Sequence, residues 1–352
     1  MLTYLETILL QCLQQVNGER SVYSIYHILK GKKSSQTIQD SHLFKLSSYF
    51  YSLPNLHRTF YDEKIGELAE KGYIFIADND SGKLTEAGEG VLNSYKEEKF
   101  FPTHMDGIKF GDNSIVFWKR TSLLIQVLSN LNQGENHFFP IQREKEIQNW
   151  VKVYIKKVAD KKLLSKKLFE ELYSIFTNNT NNKKGSQVFV YKLTGYQNIG
   201  WTDEQIAVHD DADEIEYRFC FLDTLHYTLV TVQEHAGKFP VLYSISQDLL
   251  ETYVLTDSTK KTLFYLKKGF TIDKISAVRG LKESTIEDHI VEITFTIKDF
   301  PIEQFITQHE LENVTERLKQ LKTKKLKPIK EAFPHLSYFQ IRMVLAKNGE
   351  KL

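Results

Sequence analysis

Along most of this chain apolar residues recur every three or four positions, the spacing of helices that bury one face. In "MLTYLETILLQCLQQV", Leu2, Leu5, Leu9, Cys12, Leu13 and Val16 share such a face. Glu6 interrupts the apolar run and no basic stretch precedes it, so a core helix is expected there and not a signal peptide. Further on, "RTFYDEKIGELAEKGYI" sets Phe60, Ile65, Leu68 and Ala69 on one helical side, with Gly72 as the stop. The pattern then shortens: "YIFIADNDSGKLTEAGEGVL" predicts a β segment, a DNDSG turn, a return segment ending at Leu84, and a new helix from Thr85. Helices followed by a hairpin make residues 1–100 a winged-helix-like unit, and the LTEAG after the return strand suits that outline.

Residues 103–250 form a helical middle region. "IVFWKRTSLLIQVLSNL" and "IQREKEIQNWVKVYIKKVADKKLLSKKLFEELYSIF" alternate apolar stripes with lysine-rich faces. The Asn-rich "FTNNTNNKKGSQ", residues 176–187, is the best linker candidate. Residues 199–232 carry a faint helix-turn-helix pattern. Thr202 is placed to cap a helix bearing Ile206 and Ala207, and a turn at Asp210 leads to a helix with Ile215, Phe219, Leu222, Leu225 and Leu229 inward. The aromatic stretches "YSIYHI", "SSYFYSL" and "FLDTLHYTL" are either core or platforms for unpaired bases, and their helical spacing favours core.

Residues 256–352 give the clearest pattern. "DSTKKTLFYLKKG" predicts a helix with Leu263, Phe264 and Leu266 inward and Gly269 at its end. Thr271 is placed to cap "IDKISAVRG", Gly280 supplies a turn at positive φ, and Ser284 is placed to cap a second helix. Ile286, Ile290 and Ile293 form that helix's inward stripe, and two short helices flank Pro334. The whole chain therefore reads as mainly α.

With 352 residues, 26% charged and 12% aromatic, the chain has the make-up of packed domains. The net charge of +1 leaves no overall polycation, so contacts with nucleic acid must come from local patches. Cys12 and Cys220 stand far apart among apolar residues, which predicts buried free thiols and a reducing cytoplasm. No apolar run is long enough for a membrane span, so no membrane partner is expected. No GxxxxGK[ST], HExxH or GxSxG occurs, and the acids of "HDDADE" lack the spacing of a calcium loop. Neither catalysis nor a cofactor is expected.

Two stretches, "GFTIDKISAVRGLKESTIEDHI" and "LKPIKEAFPHLSYFQIRMVLA", resemble the helicase-associated helix-turn-helix domain found at the C-terminus of some RecQ-type DNA helicases. The resemblance spans about Ser258 to Leu345, and the rest of the chain resembles the YpbB family of bacilli. What it implies is a partner: a RecQ-type helicase lacking this domain, to which the present protein supplies it in trans, together with DNA in duplex, forked or single-stranded form.

In a DNA-reading module the start of the second helix meets base edges. Here Lys282, Ser284, Thr285 and His289 are the candidates, opposed by Glu283, Glu287, Asp288 and Glu292. Carboxylates facing a polyanion argue against base reading and for structural use or protein docking. The stronger footprint is "RLKQLKTKKLKPIK", with Arg317, Lys319, Lys322, Lys324, Lys325, Lys327 and Lys330 and no acid. It is either a solvated helical face or a set of phosphate contacts without sequence preference. From Asp257 onward 18 Lys and Arg stand against 13 Asp and Glu. The expected function is a non-enzymatic accessory factor of the helicase in repair or recombination. The alternative is a stand-alone transcription regulator on a specific operator, which should show sharp sequence preference and dimerise to match half-sites.

Overall fold

The computed structural model describes residues 2–250, 255–321 and 323–348. In chain order its helices are α1 (Tyr4–Val16), α2 (Val22–Lys30), α3 (Ser35–Leu43), α4 (Arg58–Glu70), α5 (Glu86–Glu98), α6 (Gly107–Asn132), α7 (Lys145–Lys156), α8 (Lys161–Asn178) and α9 (Lys183–Tyr191). They continue as α10 (Asp203–His209), α11 (Glu214–Glu234), α12 (Pro240–Ser246), α13 (Asp257–Lys267), α14 (Ile272–Arg279), α15 (Glu283–Thr296), α16 (Gln308–Leu321), α17 (Leu326–Ala332) and α18 (Tyr338–Asn348). Two short strands, β1 (Ile74–Ile76) and β2 (Gly82–Leu84), pair antiparallel between α4 and α5. The fold is mainly α, as the periodicity predicts.

The helices gather into two compact units. A middle unit holds Met1–Ile8 and Asn93–Glu251, and a terminal unit holds Leu9–Leu92 and Thr252–Leu352.

In the middle unit α11 is the hub, packed by α9, α10, α6 and α12. Phe219, Leu225 and Leu229 are fully buried along it, each contributing about 1.5–3 kcal/mol by leaving water. Its neighbour α10 opens on the expected cap. Thr202 Oγ1 accepts from Gln205 N at 3.2 Å, and Gln205 Oε1 accepts from Thr202 N at 2.9 Å. The expected linker at 176–187 is a packed corner instead. Asn182 is buried, donates to the Cys220 carbonyl at 2.8 Å and accepts from Gly185 N at 2.8 Å. A Cβ on Gly185 would lie 2.2 Å from that same carbonyl, so the Asn and Gly that resemble a linker in composition are what let α9 meet α11. The sequence pattern could not separate these uses, because both favour the same residues.

In the terminal unit the hairpin lies where expected, with Ile74 opposite Leu84. LTEAG has a physical explanation. Thr85 Oγ1 donates to the Gly72 carbonyl at 2.6 Å and accepts from Gly88 N at 3.1 Å. A side chain on Gly88 would strike the Tyr73 carbonyl, at 2.0 Å from its Cβ. On α4 the buried face carries Tyr61, Ile65 and Leu68, whereas Phe60, expected inward, is 40% exposed. The Tyr61 hydroxyl donates to the Val22 carbonyl at 2.6 Å, so Tyr61 takes the inward place expected of Phe60 while Ile65 and Leu68 lie as the spacing predicts.

Of the aromatic stretches, Tyr49, Phe50 and Phe221 are core residues, and Tyr23, Tyr26 and Tyr51 are half-buried. Both cysteines are buried and free. Among the described residues no helix is long and apolar enough to cross a membrane.

Candidate nucleic-acid interface

The helix-turn-helix is α14, a turn at Gly280, and α15. Gly280 sits at φ +61°, ψ +34°, a left-handed conformation that ends α14 at little cost only for glycine. Ile286, Ile290 and Ile293 are wholly buried, as the stripe predicts. Val291 is equally buried, because α15 is packed by α18, α13, α14 and also α3. Phe295 near its end stacks on His42 of α3, ring centres 5.4 Å apart. The exposed residues of α15, Glu283 and Ser284, lie in its first turn.

There Lys282 and Ser284 are exposed and Thr285 is half-buried. The cap differs from expectation: the helix opens at Glu283 after Lys282, and no side chain caps it. Asp288 is occupied by an ion pair with Arg342 of α18. His289 is 6% exposed and is not a base contact in this arrangement. Its Nδ1 lies 2.9 Å from Thr262 Oγ1, and the Arg279 guanidinium stands beside it. Burial, then the Arg279 charge, hold its pKa below the usual histidine value. Glu292, expected to repel phosphates, is buried and does something else. It accepts from Thr256 N at 2.8 Å and Thr259 Oγ1 at 2.7 Å, fastening the start of α13. The same partners turn α13, so that Thr259 and Thr262 are buried while Phe264, expected inward, is 53% exposed.

The lysine-dense segment divides. On α16, Val314 and Leu318 point inward, which turns Arg317 and Lys319 to solvent; Arg317 donates to Gln320 Oε1 on its own helix, at 3.0 Å. Lys322 lies outside the described residues. Lys324 is half-buried: its backbone N–H donates to Glu19 Oε2 at 2.7 Å and its ammonium to the Leu43 carbonyl. It also stands 5.3 Å from the Phe44 ring centre, and burial pulls its pKa down. Lys330 donates to the Pro334 and Leu336 carbonyls at 2.8 and 2.6 Å, closing the loop after α17. Lys325 and Lys327 are exposed.

By anchoring this segment against α3, Lys324 helps shape a cleft of about 440 Å³. Lys325, Lys327, Arg20 and Arg342 line it, with Leu43 and Phe295 among its apolar walls. Asp40 is its carboxylate and pairs with Arg20 at 2.9 Å; burial raises the Asp40 pKa despite that partner. Gln39, 6% exposed, also lines the cleft, and its Nε2 has no hydrogen-bond partner among the described residues. Arg20 pairs with Asp40 and Arg342 with Asp288, so the groups left for an anion are the exposed Lys325 and Lys327 and the Gln39 amide. Nothing in the periodicity marks Arg20, Gln39 or Arg342, which tertiary packing brings beside Lys325.

The family comparison agrees with this geometry. Residues 258–345, spanning nearly all of α13 to α18, match a family model described as a helix-turn-helix domain, a class that points to DNA binding. Over its full length the chain is 35% identical to Protein YpbB of Bacillus subtilis (strain 168), covering 99% of each chain. The chain belongs to the YpbB family. No solved structure matches it.

Proposed function

We propose that this protein is a non-enzymatic accessory factor of a RecQ-type DNA helicase that contributes DNA contacts with little sequence preference. The observation that carries the DNA part is the cation set of the terminal unit: Arg317 and Lys319 turned outward on α16, and Lys325 and Lys327 with two arginines around the cleft. Cations of this kind neutralise phosphates and release counter-ions without distinguishing bases. The helicase part is supported by the resemblance of residues 258–345 to a domain carried by some helicases of that type.

An operator-reading regulator fits less well. Of the four α15 candidates, His289 is buried, and the acidic Glu283 lies between exposed Lys282 and Ser284. Duplex affinity should fall steeply with salt. The slope should flatten by about one for each phosphate-contacting cation removed, so a quadruple alanine variant at Arg317, Lys319, Lys325 and Lys327 is expected to flatten it by up to about four. An unchanged slope rejects this footprint. Co-purification with the helicase, and equal affinity for random duplex and the protein's own upstream region, are the companion results; failure of the purified proteins to associate would remove the helicase part.

A further inference from the structure

Helix α8, in the middle unit, carries an outward stripe that the reading above does not use. Its inward face is unambiguous: Leu164, Leu168, Leu172 and Ile175 are buried, and Glu171 accepts from Val241 N at 3.0 Å and Leu242 N at 2.9 Å. At about 100° per residue, that face turns Lys162, Lys166, Phe169 and Tyr173 to the opposite side, within roughly 60° of arc. Both lysines are exposed, and the two rings are 66% and 63% exposed. The rings lie nearly parallel, 24° apart with centres at 5.9 Å.

Two large rings held side by side in water need a reason, since burying one would stabilise the protein. A purely solvated face would carry polar residues here. A face for an apolar protein partner would not alternate with ammonium groups, and the flanking carboxylate, Glu170, lies 3.8 Å from Lys166 and offsets only part of that charge. Lysines followed by stacked rings match the flexible polyanion whose bases are free to stack, and a duplex keeps its bases inside.

We propose that this stripe of α8 binds single-stranded DNA, with unpaired bases stacking on Phe169 and Tyr173 and phosphates meeting Lys162 and Lys166. DNA is the strand type assigned because the chain also carries a helix-turn-helix domain. The surface shares no residue with the terminal-unit cation set, so the two can fail separately. A chain that holds duplex through one set and single strand through the other suits a junction.

The test uses the full chain and labelled oligothymidylate, followed by fluorescence anisotropy across salt, with a duplex and oligouridylate as parallel arms. Stacking contributes about 1–3 kcal/mol per base, so the Phe169→Ala/Tyr173→Ala variant should bind oligothymidylate at least about fivefold more weakly, with duplex affinity unchanged. Phe169→Tyr/Tyr173→Phe keeps both rings and should restore binding. Lys162→Ala/Lys166→Ala should flatten the salt slope for oligothymidylate by about 1.4. Parent-like oligothymidylate binding by the ring variant overturns the proposal, and so does tighter binding of oligouridylate. Loss of helicase retention with oligothymidylate binding intact would also overturn it and assign the stripe to protein docking. Insensitivity of duplex binding to the α16 and cleft variants would instead sink the reading of the terminal unit and leave this one standing.

Discussion

Two lysine-rich segments, 161–173 and 317–330, look alike on paper and are used differently. In 161–173 one uninterrupted helix sets the direction of every side chain. Its buried leucines determine the phase, so Lys162, Lys166, Phe169 and Tyr173 all turn outward. In 317–330 helix α16 closes with Leu321, and residues 323–325 before α17 are non-helical. Tertiary partners decide direction here: Lys324 turns inward to Glu19 and Leu43, and Lys330, although on α17, bonds the Pro334 and Leu336 carbonyls, while Lys325 and Lys327 stay in water. Segment charge therefore predicts an electrostatic footprint only for the cations that no distant carbonyl or carboxylate engages.

The largest test of this difference is on α8. Leu168→Ala should destabilise the protein by about 2–5 kcal/mol, because a cavity opens in a packed face. Its neighbour Phe169→Ala should change stability by no more than about 0.5 kcal/mol. Denaturant unfolding measures both, and equal losses would mean the helix phase is misassigned.

A second test uses pH and a buried histidine of each unit. In the middle unit burial pushes the His226 pKa down to about 3. In the terminal unit burial and Arg279 lower that of His289. An unfolded histidine takes a proton near pH 6.5, so below that the unfolded state binds more protons than the folded one. His226 thus contributes stability that is intact above pH 6.5 and lost as pH falls toward 3, by up to about 1.4 kcal/mol per pH unit. His289 acts in the same direction over a window opening at the same upper end. Thermal melts at stepped pH should show the decline, and His226→Gln should make it shallower; an unaltered slope would refute the assignment.

The smaller contrast is between adjacent lysines. Lys324→Ala removes a donor from the Leu43 carbonyl and should cost about 1–2 kcal/mol. Lys325→Ala should leave stability within about 0.5 kcal/mol of the parent and weaken DNA binding at low salt. Reversal of that order would mean the two side chains exchange roles in solution.

Much of this was legible from residue order. The α15 stripe, the turn at Gly280, the hairpin ending at Leu84, the Thr202 cap and the two buried thiols follow from neighbours three or four positions apart, and local geometry decides them. The misplaced features share one cause, a distant partner. Phe264 turns outward as Thr259 meets Glu292, His289 is enclosed by Thr262 and Arg279, and Asn182 binds the Cys220 carbonyl in what looked like a linker. Spacing along the chain dictates where helices lie and which face is apolar. Which polar groups are left for a ligand depends on pairings between residues far apart in sequence, such as Lys324 with Glu19 and Arg342 with Asp288, and only the folded chain sets those.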